Sequence, residues 1–295
     1  MKIGIATYKD TGRYLSLVPD EDEMLVNLFQ KHGHEVELAI WDNPSVAWSN
    51  YDIVIIKSTW DYFIEKIELF YKWLDHLKEI NVPCLNHPDL IQWNSDKHYL
   101  LDIAWAGLNI VPTYIIEQNE SFDLELLFEK FNTEELIIKP CISGGAMNTI
   151  RVNTENYKEH IDQIKDWTTK EAYLVQPLKE EILTEGEWSF IFFNGKFSHQ
   201  ILKTAKQGEF RIQHFFGGTI NTPENNEKLI LEAQQYIDRF AKGALYARVD
   251  GVWSNNQFEL MELELIEPYL FFFTNNLSLD NYYSAFESLT KNILP

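Results

Sequence analysis

Cysteine is nearly missing from this chain: Cys84 and Cys141 are the two in 295 residues, and neither has a partner at metal-ligand spacing. That excludes a disulfide scaffold and a cysteine-based metal knuckle, and it suits free thiols in a reducing compartment. Basic residues are scarce too. Lys and Arg total 25 against 45 Asp and Glu, a net charge of −20. No excess of positive surface exists to release counterions from a polyanion, so nucleic acid and anionic membrane are excluded as partners. An anionic ligand must be held by a local cluster of Lys and Arg, helped by metal. Long hydrophobic runs are absent: the richest, Tyr269 to Phe273, falls far short of a membrane span. The first residues, Met-Lys-Ile-Gly-Ile-Ala-Thr, read as a strand rather than a signal peptide. The expectation is a soluble cytoplasmic protein with small-molecule partners, for which a homodimer is an admissible state. What is present is ordinary globular composition, 45% apolar and 14% aromatic, in a chain long enough for two or three subdomains.

Residues 1–85 alternate strand and helix. Ile3 to Thr7, Val36 to Trp41 and Asp52 to Ser58 read as strands; Glu21 to His32 and Phe63 to Ile80 read as helices with one apolar stripe each. This rhythm implies a small parallel doubly wound sheet, whose ligand-facing loops follow the carboxyl ends of its strands: Thr7-Tyr8 and Ser58 to Tyr62. Asn94-Ser95-Asp96 offers three cap residues to a helix from Lys97 to Ala106. From Pro112 the order becomes α+β. One lobe has strands 113–116, 135–139, 148–152 and 172–176 with helices 122–131 and 154–167. Another has strands 188–194, 197–203 and 209–213, helices 223–242 and 279–293, and a hairpin over 248–268.

The hairpin carries the most chemistry. Arg248-Val-Asp-Gly-Val-Trp and Phe258-Glu-Leu-Met-Glu-Leu-Glu-Leu-Ile-Glu-Pro268 flank a Ser254-Asn255-Asn256 turn. A turn centred on Asn256 sets Asp250 opposite Glu262 and Arg248 opposite Glu264, all on one face, with Val249, Leu263 and Leu265 on the other. Carboxylates gathered on one sheet face repel unless a cation joins them, and their oxygens are the hard ligands that Mg²⁺ prefers. A solvated acidic face with one Arg248–Glu264 pair is the plainer alternative.

Elsewhere, the strand ending in Lys139 delivers an ammonium to the edge of Ser143-Gly144-Gly145-Ala146, where glycines let backbone N–H groups approach an anion. Tyr173 to Leu178 breaks at Pro177, leaving backbone groups for an adenine edge or marking a lobe hinge. Glu185-Gly-Glu187 could accept from ribose hydroxyls. Lys203 and Arg211 flank a probable turn, ahead of Gly217-Gly218, and could stabilise developing phosphoryl charge.

Together these features resemble the ATP-grasp superfamily, most of all its small amino-acid ligases close to bacterial glutathione synthetase and the O-ureido-serine cyclo-ligase of cycloserine biosynthesis. The carriers are Ser58 to Tyr62, Trp93 to Asp102, Ile138-Lys-Pro140, Val175-Gln-Pro177, Glu185 to Ser189, Phe197-Ser-His199, Gly217-Gly-Thr219, Arg248-Val-Asp250 and Met261 to Pro268. The resemblance implies a small parallel doubly wound pre-ATP-grasp domain over 1–95, followed by a two-lobed ATP-grasp fold. Its small lid lobe would span 96–178, and its large metal and catalytic lobe 179–295. It implies ATP and Mg²⁺ as cofactors, with Mn²⁺ as a substitute. Lys97, Lys139 and the lid Ser143, Gly144, Gly145 and Ala146 would bind the phosphates. Gln176, Pro177 and Leu178 would read adenine through their backbone, and Glu187 would take the ribose. Asp250, Glu262 and Glu264 would hold metal, and Lys203, Arg211 and Arg248 would be catalytic. Trp60, Asp61, Tyr62, Gly217 and Gly218 would face the substrate. The implied reaction activates a small amino-acid-like substrate as an acyl phosphate that an amine nitrogen attacks. Intramolecular cyclisation, or a nucleotide-binding module without catalysis, are the alternatives.

Overall fold

The apolar strands near the N-terminus pair in parallel. β1 (Lys2–Thr7) lies between β2 (Glu35–Ile40) and β3 (Ile53–Ser58), with β4 (Cys84–Leu85) on the β3 side. β3 is buried throughout and β1 over all but its first residue, as the inner strands of a sheet covered on both faces must be. The computed structural model describes residues 1–9, 19–206 and 217–291. Helix α1 (Glu21–Lys31) starts where the Asp20 carboxylate accepts from the N–H groups of Asp22 and Glu23. Helix α2 (Ile67–Glu79) buries Phe70, Trp73, Leu74 and Leu77. It begins later than the apolar spacing suggests, because Thr59–Tyr62 and Asp61–Ile64 close turns and Glu65 takes a left-handed φ of 56°.

The segment around Lys97 departs from expectation. Helix α3 (Pro88–Asn94) precedes it, and α4 (Tyr99–Trp105) starts after it with His98 as its cap and no side-chain cap bond. Asn94 does not cap α4. Its side chain instead reaches the far end of the chain, accepting from Leu265 N at 2.9 Å and donating to Leu263 O at 2.7 Å.

The second sheet, in the order β5-β8-β6-β7, is antiparallel: β5 (Tyr114–Ile116), β6 (Glu135–Pro140), β7 (Ile150–Asn153) and β8 (Tyr173–Pro177). Its core includes Leu127 and Phe128 of α5 (Leu124–Phe131) and Ile164 of α6 (Tyr157–Thr168). The third sheet, in the order β11-β10-β9-β12-β13, is also antiparallel: β9 (Glu187–Phe193), β10 (Lys196–Thr204), β11 (Thr219–Asn221), β12 (Tyr246–Ser254) and β13 (Gln257–Glu264). A short α7 (Glu180–Thr184) joins the two sheets, and α8 (Glu227–Phe240) and α9 (Ser278–Thr290) complete the described helices. The strand expected at 209–213 lies outside the described residues.

Strand alternation in the third sheet feeds two cores. Phe190, Phe192, Val249, Leu263 and Leu265 pack with α4 and α8. Ile191, Phe193 and Tyr246 pack on the other side with Ile3 and Ile5 of β1, Leu25 and Phe29 of α1, and Tyr282 and Phe286 of α9. The N-terminal unit therefore shares its core with the third sheet. No described helix is long and apolar enough to cross a membrane.

Candidate active site

The β12–β13 hairpin turns at Asn255-Asn256, both left-handed with φ of 51° and 64°, which gives a two-residue turn one position short of that expected from sequence. The register then shifts. Gly251 pairs with Leu260 but Asp250 pairs with Glu262, so Met261 is an extra residue, a β-bulge. The bulge restores the pairs Asp250–Glu262 and Arg248–Glu264. Gly251 is required there: a Cβ would lie 2.4 Å from the Glu259 carbonyl.

Asp250 is the hub. Its side chain is 3% exposed and accepts from Ser189 Oγ at 2.6 Å, Lys203 Nζ at 3.2 Å and Arg248 Nη2 at 2.8 Å. Burial alone would raise its pKa, but the Arg248 and Lys203 charges hold the carboxyl well below the usual range. Glu262 and Glu264 stay open to the cleft, with side chains 31% and 26% exposed. Glu262 pairs with Lys97 at 3.2 Å, and Glu264 pairs with Arg248. Burial opposes ionisation of Glu262, yet Lys97 and Lys139 outweigh it and lower its pKa. Burial, reinforced by Asp250 and Glu262, lifts Glu264 to about 7 despite Arg248. Hard oxygens that still reach the cleft suit a divalent cation. Glu262 and Glu264 present them, while Asp250 has its oxygens occupied and orients the cations around it.

The expected lysines converge on this face. Lys97 donates to the Ser143 carbonyl at 2.8 Å, tying the glycine loop to the hairpin. The Ser143 hydroxyl donates to the Pro140 carbonyl at 3.1 Å, and Gly145 and Ala146 turn through φ of 60° and 57°. Lys139 makes no hydrogen bond or ion pair among the described residues; burial, more than the neighbouring charges, lowers its pKa. Gly144 faces the Phe63 ring, at 2.7 Å from where a Cβ would stand.

Other expected site residues are spent differently. Glu187 lies inside the charged cluster, 2.5 Å from Lys203, and burial raises it to about 7. Gln176 is buried and donates to Thr113 Oγ1 at 2.9 Å. Pro177 has no N–H, and the Leu178 N–H donates to the Glu135 carbonyl at 3.0 Å, so these two residues have only carbonyls to offer adenine. Trp60 donates its indole N–H to the Glu267 carbonyl at 2.9 Å. Asp61 is held by Lys66 and by the Trp41 indole at 2.7 Å, a structural position. Tyr62 is buried and stacks on Phe70 at 4.6 Å between ring centroids. Gly217 packs against the Lys206 side chain and, among the described residues, not against the charged centre; Gly218 follows it. Arg211 lies outside the described residues.

Sequence reasoning missed the residues that hold the hairpin in place. Asn86 donates to the carbonyls of Tyr246 and Leu265 and accepts from Leu245 N, and the Tyr99 hydroxyl accepts from Leu263 N. Behind them, Lys57 is fully buried, 3.2 Å from Glu21 and 2.7 Å from the Pro268 carbonyl. Glu21 accepts from the N–H groups of Leu270 and Phe272, and Asp22 accepts from Thr7 and Ser58 hydroxyls at the carboxyl ends of β1 and β3. Glu267 was legible only as part of a motif. Burial, with Glu264 beside it, raises its carboxyl to about 8.

Over its full length the chain superposes on the crystal structure of D-cycloserine synthetase DcsG with a TM-score of 0.82, covering 98% of this chain and 100% of that one at 20% identity. The fold is that of the solved ATP-grasp proteins. Residues 3–86 of the chain match the family described as D-cycloserine synthetase DcsG, N-terminal domain. In sequence the chain is 24% identical over 225 residues to the cycloserine biosynthesis protein DcsG of Streptomyces lavendulae, covering 74% of this chain and 71% of that protein. The ATP-grasp frame also matches D-alanine–D-alanine ligase of Bacillus anthracis, at a TM-score of 0.75 and 13% identity over 99% and 98% of the two chains. ATP-grasp ligase PsnB, solved with Mg, ADP and a minimal precursor, matches at 0.64 and 13% identity over 98% and 97%.

Proposed function

We propose that the protein is an ATP- and Mg²⁺-dependent carbon–nitrogen ligase acting on a small amino-acid-like substrate. The observation that carries this reading is the convergence of Lys97, Lys139, Lys203 and Arg248 on the open carboxylates of one hairpin. Lys139, without a partner among the described residues and beside a glycine turn, and Lys97, one hydrogen bond from that turn, would take the ATP phosphates. Ser143 to Ala146 would cover them, and the strand-edge carbonyls near Pro177 would meet adenine. Glu262 and Glu264 would hold Mg²⁺ from the open side, with Asp250 behind. Bound there, the metal would neutralise phosphate charge, which with positioning is most of what phosphoryl transfer asks of a protein.

The γ-phosphoryl group passes to a substrate carboxylate oxygen as its bond to the β-phosphate oxygen breaks. An amine nitrogen then attacks the acyl carbon. The C–N bond forms, phosphate leaves with the C–O electron pair, and the nitrogen gives up a proton. Lys203 and Arg248 (with Arg211, on the resemblance alone) would stabilise the charge that develops. The N-terminal match to the DcsG family favours a branch in which amine and carboxylate belong to one molecule, so cyclisation is the second reading.

Calorimetry tests the reading. Wild type should bind Mg²⁺-ATP, and Lys139→Ala should lose that binding severely. Glu262→Gln should keep its fold by circular dichroism yet lose both turnover and the rise in melting temperature given by Mg²⁺-ATP. Equal ATP affinity in wild type and Lys139→Ala, or normal turnover in Glu262→Gln, would remove those residues from the site.

A further inference from the structure

The charged centre does not balance itself. Lys97, Lys139, Lys203 and Arg248 stand one for one against Glu187, Asp250, Glu262 and Glu264, and all but Lys139 are engaged in ion pairs. Glu267 is left over. Its half-buried carboxylate forms no hydrogen bond or ion pair among the described residues, while the main chain around it is pinned. Its carbonyl takes the Trp60 indole, and the next carbonyl, of Pro268, takes Lys57. The charges that act on the Glu267 carboxylate are, in falling order, those of Glu264, Lys97, Glu262 and Lys57. Both lysines are already committed, Lys97 to Glu262 and Ser143, Lys57 to Glu21. Trp60 lies beside this segment, with its indole N–H on the Glu267 carbonyl.

Among the described residues two charges in the centre therefore lack a partner, and they are of opposite sign. Lys139 awaits an anion, which the nucleotide supplies. Glu267 awaits a cation. We propose that Glu267 binds the ammonium group of the amino-acid-like substrate, on the Trp60 side of the charged centre. This assignment rests on the ligase reading above and deepens it, because it makes a free amino group a requirement of the substrate. A monocation fits better than a second metal. Ammonium groups are attracted to aromatic faces as well as to carboxylates. Divalent cations prefer several oxygens and water, and Glu262 and Glu264 already provide those.

The experiment uses the full chain with Glu267→Gln and Glu267→Asp. Calorimetry with Mg²⁺-ATP comes first, then phosphate release across a panel of free D- and L-amino acids and their N-acetyl derivatives. We expect Mg²⁺-ATP affinity within about twofold of wild type in both variants. For the free amino acid that stimulates release, Glu267→Gln should raise KM roughly tenfold, the scale of one charge-assisted hydrogen bond. Glu267→Asp should recover most of that, and the N-acetyl form should be inactive with wild type. An unchanged KM in Glu267→Gln overturns the assignment, as does equal use of the N-acetyl form. So does a shifted Mg²⁺ requirement in place of a shifted KM, which would make Glu267 a metal ligand. If wild type binds Mg²⁺-ATP and no free amino acid raises phosphate release, the ammonium site is also overturned. Failure of wild type to bind Mg²⁺-ATP instead overturns the ligase reading on which the assignment rests.

Discussion

Two charged networks meet at the segment that follows β13, and they differ in completeness. In the first, Lys57, Glu21 and Asp22 are saturated: the ammonium by a carboxylate and the Pro268 carbonyl, the carboxylates by backbone N–H groups and hydroxyls. In the second, around Asp250, a saturated hub is ringed by groups that are not, with Lys139 unpaired among the described residues and Glu262 and Glu264 partly exposed. Burial alone does not separate a structural ion pair from a working one; what separates them is whether any partner is missing. A saturated network fixes position, and an unsaturated one recognises.

The sharpest way to break that contrast is to remove one member of the saturated set. Lys57→Met should destabilise the protein by about 3–5 kcal/mol at pH 8, because a buried carboxylate is left without its cation. Burial raises the pKa of Glu21 while Lys57 pulls it down, so the folded carboxyl holds its proton more tightly than the unfolded one. Stability therefore falls as pH rises above the ordinary carboxylate value, and more steeply without Lys57. Urea denaturation should show a smaller loss at pH 5 than at pH 8. Equal losses would mean that Lys57 acts by packing.

A smaller effect is expected where the open network leans on the N-terminal unit. Gly144→Ala would push a methyl against the end of the Phe63 ring. The ring can yield in part, so the cost should sit near the low end for overpacking, about 1 kcal/mol, or roughly fivefold in Mg²⁺-ATP affinity. Phe63→Leu in the same chain should restore binding by calorimetry; no restoration would detach the glycine loop from this contact.

The least effect concerns the clamp beside Lys97. His98 lies 2.5 Å from Asp96 and 3.1 Å from Glu117, joining the Lys97 segment to the second sheet's lobe. Partial burial disfavours its charge, but the two carboxylates prevail and raise its pKa above 6.5. A raised value means that the clamp contributes fully below about 6.5 and is lost as pH climbs through the folded value. An NMR titration should place His98 above an ordinary histidine and bring it down in Asp96→Asn. A midpoint that ignores this substitution would leave the clamp without electrostatic content.

Much of the site was legible because it is local. Arg-Val-Asp facing Glu-Leu-Glu needs only a period of two and a turn to show four charged side chains on one face. The register came out right although the turn was placed one residue late, since the Met261 bulge supplies the missing step. Neither Asn255-Asn256 nor Met261 announces a bulge, which depends on Gly251 approaching the Glu259 carbonyl. Of the three cap residues, Asp96 accepts from the His98 N–H as a cap does, whereas Asn94 bonds Leu265, about 170 residues away in sequence, which no local reading contains. Glu187 and Glu267 were visible as residues, but their surroundings are set by docking of one unit on another, which no window along the chain contains.

The C-terminal helix α9 packs into the same apolar cluster as β1 and α1, with Phe286 at 4.7 Å from Phe29 between ring centroids. The two ends of the polypeptide are thus inherited together. A chimera that exchanged the first sheet and α1 with those of another chain of this fold would keep a foreign helix against its new sheet. Recombination in this architecture therefore has to treat the first and last segments as one cassette, although nearly two hundred residues of chain lie between them.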